Sequence, residues 1–174
     1  MLNRIRQAAQ RRDSARNGVR VPSVLVPVTG AAYDEEVVRL GCELLESSQS
    51  SLHILYVIEV SREYPLDAAM NSVYMSGERI LNKMEEIASG YKCILSAEIV
   101  QVRKAGAAIV REAVFKEVDA IVIGMSYKET YGVYSLDEHI PYVLRYAPCR
   151  VILSREPLSS RASSQAASSF GRSI

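Results

Sequence analysis

Apolar runs of strand length recur along the chain at Val24 to Val28, Leu52 to Val60, Ile94 to Val102, Ala120 to Ile123 and Val151 to Leu153, and helical periodicity fills the intervals between them. That alternation predicts an open parallel α/β sheet with helices on both faces. In the second helical interval Val73, Gly77, Ile80, Met84 and Ile87 recur at spacings of three and four, which places them on one face. In the third, Val110, Val114 and Val118 recur at a spacing of four beside Ile109 and predict another apolar stripe. Strand texture separates centre from edge. Leu52 to Ile58 is apolar at nearly every position, as a strand buried on both sides should be, whereas Cys93 to Val102 alternates with Ser96, Glu98 and Gln101 and reads as an edge.

The stretch from Asp119 to Leu153 has the layout of strand, phosphate-type loop, helix and strand. A buried strand ending in Gly124 and feeding a loop before a helix is where an open parallel sheet holds its ligand. At the helix start, where a phosphate would meet bare backbone N–H groups, stand Asp137 and Glu138. Ser135-Leu136-Asp137-Glu138 is also a capping-box pattern, in which the serine caps the helix and the glutamate reaches back to it. With Ser135 as cap, Pro141 falls in the second turn; with Asp137 or Glu138 as cap it moves toward the tolerated start. A carboxylate about 4 Å from a phosphate charge costs on the order of 1 kcal/mol in water and about 4 kcal/mol at an effective dielectric near 20, so two would weaken binding by powers of ten. A Mg²⁺ ion held between the carboxylates and the phosphates would reverse that sign.

This stretch resembles the universal stress protein family, whose nucleotide-binding members carry a strand ending in G-x-x-G, nine further residues, then G-S or G-T opening a helix that leads to an A-P-C-P-V strand. Gly124 matches the first glycine, Tyr127 stands at the second, and Asp137 and Glu138 stand at the Gly-Ser pair. Ala147 to Leu153, A-P-C-R-V-I-L, matches the closing strand with Arg150 in place of its second proline. The opening strand V-L-V-P-V-T-G also fits, with Thr29 where nucleotide-binding members show aspartate. The resemblance covers about Pro22 to Arg155. It implies a single-domain, five-stranded, Rossmann-like fold of the adenine nucleotide alpha hydrolase type, with strand order 3-2-1-4-5. It implies a pocket at the strand carboxyl ends formed by Pro27, Val28, Thr29, Val57, Gly124, Met125, Tyr127, Asp137 and Glu138. In one reading that pocket has lost the ATP-phosphate motif and the protein acts by contact in a stress response. In the other it still holds an adenine nucleotide (ATP, AMP or cyclic di-AMP) with the phosphates placed differently. The resemblance further implies a homodimer through the last strand, Val151 to Leu153, and a protein partner such as a transporter.

At 174 residues with 48% hydrophobic content the chain suits one domain with a substantial core. Charge then divides it. Residues 1–20 hold six arginines against Asp13, a net +5, and residues 155–174 hold three arginines against Glu156, a net +2, which leaves −6 for residues 21–154. The expected organisation is a basic N-terminal arm (1–20), the domain (21–156) and a serine-rich disordered tail (157–174). Leu2, Ile5, Ala8 and Ala9 are spaced as on a helix, so the arm suits a membrane surface, nucleic acid or an acidic partner. The arginines lack the apolar stretch of a secretory signal, and no apolar run reaches the roughly 18 residues of a membrane span, so a cytoplasmic location is expected. Cys42, Cys93 and Cys149 are far apart with no C-x-x-C, which predicts reduced core cysteines rather than a disulfide framework or a zinc site. His53 within a strand reads as structural and His139 as a surface residue beside carboxylates. With no nucleophile elbow, H-E-x-x-H or Walker loop, an enzyme is not expected.

Overall fold

The five apolar runs are the strands of one parallel sheet in the computed structural model, which describes residues 19–125, 128–130 and 133–155. In chain order the elements are β1 (Ser23–Val28), α1 (Asp34–Glu43), β2 (Ser51–Glu59), α2 (Asn71–Ser89), β3 (Ile94–Val102), α3 (Ala105–Phe115), β4 (Ala120–Met125), β5 (Lys128–Thr130), β6 (Val133–Ser135), α4 (His139–Tyr146) and β7 (Arg150–Arg155). The large sheet runs β3-β2-β1-β4-β7 with every pairing parallel. Counting only its own strands, this is the expected order 3-2-1-4-5. All six residues of β4 are buried, and so are all of β1 after Ser23, as strands covered on both faces require. β3 and β7 are the partly exposed edges.

The pleat divides the core in two. Val24, Val26 and Val28 of β1 join Leu52, Ile54, Ala120 and Val122 beneath Val37, Val38 and Cys42 of α1 and Leu81, Met84 and Ala88 of α2. Leu25, Leu55, Ile121, Ile123 and Met125 point the other way, under Ile109 and Ala113 of α3 and Ile140 and Val143 of α4. α2 can approach β2 closely because Gly77 faces the Tyr56 ring: a Cβ there would lie 2.7 Å from Cδ1.

α3 corrects the expected stripe. Its buried face carries Gly106, Ile109 and Ala113, whereas Val114 is 56% exposed and Phe115 79% exposed. Val114 lies 100° round the helix from Ala113 and falls outside the buried face, so the spacing of four had linked valines that belong to different surroundings. Val118 is buried, yet it enters the core from beyond the helix. Glu117 takes a left-handed conformation (φ 50°), its N–H donates to the Val114 carbonyl, and the Val118 N–H donates to the Ala113 carbonyl. This is a Schellman ending, in which the residue after the left-handed position packs back on the last turn.

The segment between β4 and α4 also differs from a plain phosphate-type loop. β5 and β6 form an antiparallel pair, Lys128 opposite Ser135 and Thr130 opposite Val133, separated by Tyr131 and Gly132.

His53 lies in β2 as a structural residue. Its Nδ1 shares a hydrogen bond of 2.6 Å with Ser96 Oγ across the β2–β3 ladder, and Lys116 and Glu98 form an ion pair nearby. Burial pushes its pKa below the usual 6.5, Lys116 lowers it further, and Glu98 opposes both. A histidine with a depressed native pKa is neutral in both states above about pH 6.5, and below that the unfolded chain protonates first. Stability is therefore lost as pH falls from 6.5 through the native value. Urea midpoints measured from pH 7 to pH 5 are expected to fall less steeply for His53→Gln than for the native chain, and parallel slopes would remove His53 as the source.

Candidate functional site

α1 leaves β1 on one face of the sheet and α3 reaches β4 on the other, so the crossover direction switches between these neighbours. Their assigned pairing is short, Val24 with Ala120 and Leu25 with Ile121, and the ladder does not continue toward the carboxyl ends. Such a switch point is where open α/β sheets bind ligands. Pro27 and Val28 end β1 and Gly124 and Met125 end β4, all buried, with Thr29 exposed just beyond β1. Val57 follows Tyr56, the last β2 residue paired with β1, and is half-buried. The structure thus brings six of the expected positions to the carboxyl ends of the three central strands. Asp137 and Glu138 precede α4, and Tyr127 lies outside the described residues.

What fills this region comes from α1. Asp34 opens the helix, is 1% exposed, and turns its side chain back over the loop. Its Oδ2 accepts from the N–H groups of Thr29 (2.9 Å), Gly30 (2.6 Å) and Ala31 (3.1 Å). Gly30 makes the loop possible with φ +88°, a conformation L side chains rarely adopt. Three converging amides form a concavity suited to an anion, and the protein's own carboxyl group occupies it. Burial raises the Asp34 pKa, while the bonds from Thr29, Gly30 and Ala31 act to lower it. One residue earlier, the Tyr33 ring lies over Gly124. A Cβ at Gly124 would come within 2.7 Å of Tyr33 Cε2 and of Val37 Cγ2. The bare backbone at the end of β4 is thus covered by an aromatic ring of the same molecule.

A cavity of about 170 Å³ opens beside this region between the starts of α3 and α4, lined by Glu59, Lys104, Ala105, Gly106, Ala107, Glu138, His139 and Tyr142. It shares only Glu138 with the expected set. Gly106 lets the two helices touch, since a Cβ there would lie 2.9 Å from Tyr142 Cβ. Glu59, at the end of β2, accepts from the Ala105 N–H at 3.2 Å and so supplies a cap to α3 from a distant strand. Lys104 lies between acids, 3.3 Å from Glu59 and 3.8 Å from Glu138, with exposed side chains whose screened attraction contributes little to stability.

α4 begins differently from the capping-box expectation. Ser135 belongs to β6, and the helix starts at His139 after Glu138, which makes no side-chain cap hydrogen bond. The Ile140 N–H donates to the Asp137 carbonyl at 3.0 Å. Strand pairing has taken the serine that the pattern assigned to the cap. Pro141 then falls in the first turn, where its missing N–H would have had no helical acceptor.

Among the described residues no group of three or more His, Cys, Asp or Glu side chains could hold a metal ion, and no helix is long and apolar enough to cross a membrane. Sequence reasoning missed Tyr33, Asp34, Glu59 and Lys104. For Asp34 a signal existed, an acid opening a helix shortly after a strand and a glycine; for Tyr33 there was none.

The model of the universal stress protein family matches residues 21–155. The chain belongs to the universal stress protein family. Solved structures show the same fold at low identity. A universal stress protein from Archaeoglobus fulgidus has 16% identity and TM-score 0.60, covering 80% of this chain and 98% of its own. The universal stress protein UspA from Lactobacillus plantarum has 21% identity and TM-score 0.62, covering 78% and 99%. A universal stress protein from Archaeoglobus fulgidus solved in complex with dAMP has 16% identity and TM-score 0.58, covering 78% and 98%. No curated protein sequence matches the chain significantly. Within this frame the Asp34 carboxyl sits among the β1 loop amides. Asp34→Ala leaves three N–H groups without this acceptor and is expected to lower unfolding free energy by about 1–3 kcal/mol in urea titrations. A change smaller than about 0.5 kcal/mol would mean that water serves the amides equally well.

Proposed function

We propose that the chain is a cytoplasmic, non-catalytic regulatory module of the universal stress protein family, which acts by contact as a homodimer and does not hold ATP in the manner implied by the family motif. The observation that carries this reading is the Asp34 carboxyl on the Thr29, Gly30 and Ala31 amides, which puts a protein acid where an anionic ligand would bind. Asp137 and Glu138 before α4, and Thr29 and Tyr127 at motif positions, point the same way. The family match at 21–155 supports a domain of 21–156, with the basic arm 1–20 and tail 157–174 as appendages. The arm's charge suits an acidic partner. Its contact with membrane or nucleic acid, and a transporter as partner, are further forms of the same contact role.

The homodimer reading rests on β7, which among the described residues pairs only with β4 and leaves Leu153 37% exposed on an edge of the sheet. Light scattering of the full chain at tens of micromolar is expected to give twice the mass of 19.3 kDa, with a charged substitution at Leu153 shifting the protein to monomer. Monomer alone would sink this interface.

A second reading, an adenine-nucleotide sensor, is favoured by the relative in complex with dAMP and by the position of Pro27, Val28, Thr29, Val57, Gly124 and Met125 around the switch point. Calorimetric titration with ATP, ADP, AMP and cyclic di-AMP, each with and without Mg²⁺, separates the two. The expected result is no binding tighter than about 100 μM, and affinity near 10 μM, worth roughly −7 kcal/mol, would establish the sensor instead. Tyr127→Gly with Asp137→Gly and Glu138→Ser rebuilds the family motif and is expected to gain ATP affinity. No gain would remove these three positions from the explanation.

A further inference from the structure

In a parallel sheet the crossover helices run against the strands, so their carbonyl ends gather at the edge where the strands begin. A helix end of this kind favours Lys or Arg in its last turn. α1, α2 and α3 carry no basic residue there. Acids stand on this edge instead: Glu43 closes α1 and Glu46 follows it, while Glu117 and Asp119 follow α3. Lys92, Lys116 and Arg150 share the edge, Lys116 in its ion pair with Glu98. A cavity of about 440 Å³ opens between Glu117, Asp119 and the turn at Pro148 and Cys149. It lies one hydrogen bond from the first strand, since the Asp119 N–H donates to the Ser23 carbonyl at 3.0 Å.

The chain enters the domain at this same edge. Arg20 Nη1 donates to the Leu45 carbonyl at 3.0 Å, just past the end of α1. The Val21 N–H donates to the Leu44 carbonyl at 2.8 Å, and the Glu46 N–H donates to the Val21 carbonyl at 3.2 Å. Arg20 thus supplies the basic group that the end of α1 lacks. Before it in the sequence stand Arg4, Arg6, Arg11, Arg12 and Arg16 against Asp13 alone, joined to a domain of net charge −6 over residues 21–154. We propose that residues 1–19 continue what Arg20 begins and dock in cis on the acidic edge of their own domain, with arginines set against Glu43 and Glu46 at the end of α1 and against Glu117 and Asp119 around the cavity. The geometry allows it, since at about 3.3 Å per extended residue Arg16 has a reach of about 13 Å from Arg20. Tethering favours the contact, because a group linked by a short flexible segment is present at millimolar effective concentration. Resting on the contact role proposed for the arm, this docking makes the domain its resident partner, which an outside polyanion has to displace.

Limited trypsin digestion of the full chain tests this, with the rates of cleavage after Arg12 and Arg16 set against the same bonds in a free peptide of residues 1–20. At about 20 mM salt, where exposed charges are weakly screened, the arm is expected to be cut about threefold to tenfold more slowly than the peptide, and at about 0.5 M salt the protection is expected to vanish. Glu43→Gln with Glu46→Gln and Glu117→Gln, three exposed positions, is expected to remove most of the protection at low salt while leaving every arm cleavage site intact. If that variant does not fold, the salt dependence of the native chain decides. Protection is expected to be unchanged on dilution, so the readout does not depend on dimer formation or nucleotide binding and its failure is separable from theirs. Equal rates for chain and peptide would overturn the proposal, as would protection that survives the triple substitution. So would protection that fades on dilution, which puts the arm on a second copy, or protection that arises only when double-stranded DNA or anionic vesicles are added.

Discussion

Backbone N–H groups at the carboxyl edge of a parallel sheet must find acceptors, and the crossover helices all bring their positive ends to that edge. In this protein acids supplied by the chain lie at three of those helix starts, those of α1, α3 and α4. Asp34 takes three amides of the β1 loop, Glu59 takes the first amide of α3, and Asp137 and Glu138 precede α4. The positive field that a bound anion would otherwise meet is already compensated within the fold. The β1 loop and the start of α3 are ordered by these bonds. This links the conformation of Gly30, the covering of Gly124 by Tyr33, and the acid–lysine–acid arrangement of Glu59, Lys104 and Glu138.

The sheet was legible because its central strands are buried on both faces, which forces continuous apolar runs, while the edge at β3 leaves a polar alternation that reads directly. The helices were less so. Val114 fitted a spacing of four yet faces solvent, because a left-handed Glu117 ends the helix and returns Val118 to the core by another route. Ser135 fitted a capping box but was taken by the β5–β6 ladder, a pairing set by contacts across the segment rather than by the motif. Six expected positions do gather at the strand ends. The Asp34 contacts were not foreseen, because the reach of its side chain back over three amides depends on a loop conformation that no periodicity encodes.

The same architecture is shared with universal stress protein structures at 16–21% identity. Fold is therefore a weak guide to chemistry here. At the end of β4 the Tyr33 ring covers the Gly124 backbone within the parallel sheet.

The brief pairing of β1 with β4 also gives the molecule a mechanical grain. Two residue pairs join these strands, whereas nine join β2 to β3 and six join β4 to β7. A force drawing the sheet apart would meet its weakest backbone resistance along that seam, and the halves on either side would tend to travel as plates, with the helices above and below acting as straps.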